Sequence, residues 1–210
     1  KLDSMKATMK TLSAILICCF ISTIQMYGEN IQRPESENYV KGVEALNEGN
    51  PEAAYTYLNA EINEHPDNGY AHCYMALICN FCNDTKLALQ ALNSSLELIP
   101  EADTEYRSFA HYSRGVLLSN LKMWERAEAD LNEAIRLNPE DVENYKSRAQ
   151  LYFETERYEE SLNDLTRALK LDSKADVNDL VLQLMAVAPT SEFMERITAT
   201  YQQLDQVTIH

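Results

Sequence analysis

The chain repeats itself, and that repeat leaves few folds open to it. Short phrases that close apolar stretches end at Pro66, Pro100, Pro139 and Ser173, with steps of 34, 39 and 34 residues. A small residue keeps the same steps at Gly42, Ala76, Gly115 and Ala149. A second small column follows twelve residues later at Ala54, Ala88, Ala127 and Ser161, and four residues beyond each stands Leu58, Leu92, Leu131 or Leu165. Four columns in register across four units mark a repeat.

The spacing predicts paired helices at 37–48 and 51–64, 69–81 and 84–97, 104–120 and 123–136, and 142–154 and 157–170. Small residues on both partners let the two helices of a pair approach closely, and the leucines fill the space left between them. Burying each leucine is worth about 1.5–3 kcal/mol, which matters against a marginal total. The closing prolines lack an N–H and restrict the preceding residue, so helices stop there. The step of 39 adds five residues near Glu101–Glu105, expected to lengthen the first helix of the third unit. Beyond Ser173, residues 176–187 and 191–205 read as two more helices, the first stopped by Pro189. Val177, Leu180, Val181 and Leu184 give that helix an apolar stripe to cover the last pair, as repeat arrays require.

The small–small–large–proline pattern resembles the tetratricopeptide family, over roughly Glu35–Ser173 and most closely in Gly115–Pro139. Ser173 departs from the closing proline, and Glu61 and Ser95 stand where the third unit has Ala134. The resemblance implies an all-α fold: a right-handed α-solenoid of about four helix–turn–helix units at 35–68, 69–102, 108–141 and 142–175. Capping and tail helices would occupy 176–210. It also implies a protein-binding role, with the first helix of each pair lining a concave surface. Family geometry puts Tyr39, Asn47, Tyr70, Tyr74, Asn80, Phe81, Tyr112, Asn120 and Lys146 on that surface. Tyrosine offers a large contact area with a polar tip, and asparagine can pair with a peptide backbone. The alternative is that several rings pack between neighbouring helices. A subclass clamps a carboxylate terminus with Lys and Asn; its positions fall here on Tyr39, Val43, Tyr74, Phe109 and Ser113. None is cationic, so chaperone tails are not the expected ligand.

The N-terminus is different material. Lys6 and Lys10 precede an apolar run from Leu12 to Ile24. Thirteen residues make about 20 Å of helix, short of the roughly 30 Å of a bilayer core. Residues 5–28 therefore read as a signal peptide, with lipidation at Cys18 or Cys19, or an uncleaved anchor, as alternatives. The expectation is an exported chain, periplasmic or on the surface of a bacterium, whose mature domain does not insert into membrane. The formal net charge of -15 repels phosphate backbones and argues against nucleic acid as a partner.

No arrangement of residues suggests catalysis. Cys79 and Cys82 form a C-x-x-C, which can be a redox pair or half a metal site. It falls at the end of a predicted helix with no strand before it, and His72 and Cys73 point about 100° apart on one helix. Buried thiols are the expectation, with a disulfide as the alternative. The histidines are scattered, no Gly-rich phosphate loop exists, and the carboxylate runs at Glu101–Glu105 and Glu159–Glu160 read as solvated faces. No metal, cofactor or enzymatic activity is expected. The rival reading is the regulatory front of a larger enzyme continuing past His210.

Overall fold

The computed structural model describes residues 31–188 and 190–207. The predicted signal peptide, Cys18, Cys19, Pro189 and His210 lie outside the described residues. Among the described residues there are ten helices and no strand. They are α1 (Glu37–Asn47), α2 (Pro51–Glu64), α3 (Gly69–Phe81), α4 (Thr85–Leu98), α5 (Thr104–Asn120), α6 (Trp124–Leu137), α7 (Val142–Glu154), α8 (Tyr158–Leu171), α9 (Asn178–Val187) and α10 (Ser191–Val207). The described residues divide into two compact units between Ala110 and His111, inside α5.

The starts are set by capping. Asn50, Asn68, Asp84 and Asp141 each accept a hydrogen bond from a backbone N–H in the first turn that follows, those of Ala53, Ala71, Leu87 and Glu143. Each satisfies a donor that the helix cannot. Asp84, Met123 and Arg157 are caps rather than first residues, so α4, α6 and α8 begin one residue later than the spacing predicts. Four of the five extra residues of the third repeat lengthen α5, which has 17 residues where α3 and α7 have 13, and the fifth falls in the connection before it.

Inside each pair the small and large columns interlock. A Cβ added to Gly42 would lie 2.6 Å from Leu58 Cγ, and one added to Gly115 would lie 2.8 Å from Leu131 Cγ. The leucine of α2 or α6 thus occupies the space a side chain would need on α1 or α5. Ala76 and Ala149 hold the same place in the other pairs and are buried, as are Leu92 and Leu165. From the second helices, Ala54, Ala88, Ala127 and Ser161 are all fully buried.

The turn inside each pair is the same object four times. Gly49, Asn83, Lys122 and Glu156 have φ of 70°, 60°, 57° and 61°. In the first turn, Gly49 N–H donates to Leu46 O and Asn50 N–H to Ala45 O. The pattern recurs at Asp84 to Cys79, Met123 to Leu118 and Arg157 to Tyr152. This is the Schellman ending, in which a left-handed residue lets the chain recover orphaned carbonyls.

In the second unit, α9 and α10 cover the last pair. Val177, Leu180, Val181 and Leu184, with Phe193 and Ile197, join one cluster with Ala149, Leu162, Leu165, Ala168 and Leu169. The helix begins at Asn178, since Val177 is its cap.

Three side-chain-bearing residues hold a backbone conformation that favours glycine, and two of them carry no local compensation of the kind asparagine has. Lys122→Gly and Glu156→Gly should each stabilise the fold by about 0.5–1 kcal/mol in urea unfolding. Asn83→Gly should gain less.

Candidate functional site

In the first unit the tyrosines named from the sequence gather on the first-helix side. α1 supplies Tyr39, α3 supplies Tyr70 and Tyr74 one turn apart, and the added first turn of α5 brings a fourth ring not named from the sequence, Tyr106. Tyr70 and Tyr106 meet edge to face with ring centroids 4.8 Å apart. Tyr74 lies 6.1 Å from Tyr39 and 6.2 Å from Tyr106. The hydroxyls of Tyr74 and Tyr106 are 3.0 Å apart and hydrogen-bonded. Burial, reinforced by the neighbouring phenols, pushes the Tyr39 and Tyr74 hydroxyls well above their ordinary pKa, so both stay protonated.

A charged cluster closes one end. Asp103 caps α5: its Oδ1 accepts from Tyr106 N–H at 3.3 Å. Its side chain is only 1% exposed, a costly place for a carboxylate without a cation. Arg33, 70 residues earlier, provides one. Its Nε donates to Asp103 Oδ2 at 3.0 Å and its Nη2 to Oδ1 at 3.1 Å. The same Nη2 donates to Glu105 at 2.6 Å, and the guanidinium sits 4.5 Å from the centroid of the Tyr106 ring. Tyr70 hydroxyl donates to Asp103 Oδ2 at 3.0 Å. The plane of the guanidinium is thus matched by a carboxylate fork and a ring face together.

The other residues named from the sequence fall into three groups. Tyr39 and Tyr70 are 7% and 5% exposed, so their rings belong to the interior of the first unit. Tyr74, Phe81, Tyr112 and Lys146 are half-buried. Asn47, Asn80 and Asn120 are exposed. In the second unit, burial pushes the Tyr112 hydroxyl up to about 12, and Lys146 Nζ donates to Glu143 at 2.8 Å. Lys146 and Gln150 also line a shallow cleft with Asp176, Asp179 and Gln183. Cys73, Cys79 and Cys82 are free thiols, with Cys73 and Cys79 buried and Cys82 exposed at the cap of α3. Burial drives the Cys73 thiol up to about 12, far from a reactive thiolate.

Two consecutive segments, 108–141 and 143–174, match family profiles, each described as tetratricopeptide repeat. The chain carries tetratricopeptide repeats. This repeat class is one of protein-interaction scaffolds. The chain is 24% identical over 143 residues to human "Tetratricopeptide repeat protein 6", covering 68% of this chain and 26% of that protein. It is 30% identical over 87 residues to "Lipoprotein NlpI homolog" of Haemophilus influenzae, covering 41% and 28%. The matches thus span only about a quarter of the length of these relatives. Among solved structures it shares its fold with MamA from Desulfovibrio magneticus RS-1, with a TM-score of 0.65 and 18% identity over 81% of this chain and 93% of that one.

The repeats carry a polar column that sequence reading passed over. Arg114 Nε donates to Asp130 at 2.7 Å, and Arg148 Nε to Asp164 at 2.7 Å, one repeat later on both sides. Each contact is bidentate and joins the first helix of a pair to the second. His111 Nδ1 also lies 2.8 Å from Asp130. In the first repeat the same two positions are Lys41 and Tyr57, with the ammonium 5.7 Å from the ring centroid. In the second they are Met75 and Ala91, both buried. The signal was available: Arg and Asp recur at a step of 34. The column braces helix pairs, and its charges are consumed there.

Burial alone would raise the Asp130 pKa, but hydrogen bonds from Arg114 and His111 outweigh it and hold the carboxyl below its ordinary value. A depressed folded pKa gives stability that is present above about pH 4 and lost as pH falls through the folded value. Asp130→Asn should cost about 2–3 kcal/mol at pH 7. The gap from wild type should shrink when the same urea titration is run near pH 3.

Proposed function

We propose that this chain is a scaffold at the bacterial cell envelope, binding a peptide or protein segment along the first-helix faces of its repeats. The observation that carries the reading is the makeup of those faces. The first helices carry exposed amides at Asn47, Asn80 and Asn120 and half-buried rings at Tyr74, Phe81 and Tyr112. Amides offer a donor and an acceptor to an extended backbone, while rings already held by packing contribute contact area at little entropic cost. The acidic surface favours a basic partner and disfavours nucleic acid.

The envelope is supported by two further features. Lys6 and Lys10 precede the short apolar run at 12–24, and the Haemophilus influenzae relative is named a lipoprotein. Among the described residues no helix is long and apolar enough to cross a membrane. An enzymatic role is not part of this reading. The charged clusters brace helices, and the buried thiols and phenols are held protonated.

Asn47→Ala, Asn80→Ala and Asn120→Ala combined should leave thermal stability within about 0.5 kcal/mol per site, as exposed positions do. Affinity for a partner captured from an envelope extract should fall at least tenfold. Equal retention of every captured protein by the variant would refute the first-helix faces as the binding surface.

A further inference from the structure

Arg33 occupies its place in an unusual way. Residues 31–36 form no helix, and within this strap Gln32 and Glu35 are exposed while Arg33 reaches Asp103, 70 residues further along the chain. The receiving site belongs to the repeats: Asp103, Glu105 and Tyr106 stand at the start of α5, and Tyr70 comes from α3. Tyr70 hydroxyl and the helix N-terminus fix the Asp103 carboxylate from behind, which leaves both its oxygens in position for a fork of donors. The ring of Tyr106 sets the plane in which that fork must lie. An ammonium would satisfy the charge but neither the fork nor the ring face.

We propose that this site is an arginine-receiving point of the first unit, that Arg33 fills it in cis, and that an arginine in an extended basic segment of a protein partner displaces Arg33. The inference rests on the scaffold reading above and gives it the partner's chemistry. The complementarity is that of the whole chain, whose formal charge is -15. It is also local, since Asp103 and Glu105 face one cation. A strap tethered a few residues from α1 acts at an effective concentration of about millimolar. The cis arginine therefore sets a threshold that a single free arginine does not pass and that a segment making additional contacts does. Occupancy in cis also spares the fold an unpaired buried carboxylate while no partner is present.

The test is a nuclear magnetic resonance titration of the isotope-labelled full chain with N-acetyl-arginine-amide, using the citrulline analogue as the neutral control. In Arg33→Ala, the arginine compound should shift the Tyr70, Asp103 and Tyr106 signals saturably, at least tenfold more tightly than in wild type. Citrulline should not. Adding Asp103→Asn, which keeps a capping side chain, should abolish saturation. Equal titration of wild type and Arg33→Ala, or equal response to arginine and citrulline, would overturn the proposal. Arg33→Lys serves if Arg33→Ala does not fold, with the same criteria; failure of both to fold would make Arg33 a structural bolt and equally overturn displacement. The readout is independent of any captured protein, so it can fail while the scaffold reading stands, and the reverse.

Discussion

The structure depends on how closely two helices of one pair can approach. Leu58 lies where Gly42 would carry a side chain, and Leu131 does the same at Gly115. Ala54, Ala88 and Ala127 show no exposed surface because the first helix lies directly against them. At this spacing a single methyl group is a large perturbation, since interiors are packed near crystal density. The same closeness makes the leucines effective: Leu58, Leu92, Leu131 and Leu165 are all buried, so each gives nearly its full burial energy.

Close packing alone would not fix one geometry, and two periodic devices complete it. The left-handed residue at Gly49, Asn83, Lys122 and Glu156 turns the chain back at one place in each pair. The contact between positions 41 and 57, 114 and 130, or 148 and 164 then ties first helix to second by whatever chemistry the repeat carries. It is a cation over a ring once and a forked ion pair twice, while the second repeat has the buried apolar residues Met75 and Ala91 at the same positions. The position recurs with the geometry of the pair, while the residue types at it differ from repeat to repeat. The amide side chains of Asn47, Asn80 and Asn120 on the first helices stand exposed.

Much of this was legible in the sequence. Helix positions follow from columns that repeat, and an error of a residue at the start of α4, α6 or α8 is the difference between a cap and a first helical residue. Depth of burial was less legible. Family geometry assigns Tyr39 and Tyr70 to a face, but it cannot say that Tyr106, brought in by the extra turn of α5, would cover them. The Arg33–Asp103 contact had no periodic signature at all: Arg33 precedes the first repeat, and Asp103 lies in the five residues that break the 34-residue step. By contrast, Arg114 with Arg148 and Asp130 with Asp164 recur in step, so their pairing is readable from the sequence alone.

The interlock can be measured directly with a double-mutant cycle on Gly115 and Leu131, read by urea unfolding. Alanine is about 1 kcal/mol better than glycine inside a helix, yet Gly115→Ala should destabilise the fold by about 1–3 kcal/mol through overpacking against Leu131. In the Leu131→Ala background the same substitution should become neutral or stabilising, giving a coupling of about 1 kcal/mol or more, on the order seen for contacting residues. A stabilising Gly115→Ala in the wild-type background, or a cycle that closes additively, would contradict the account.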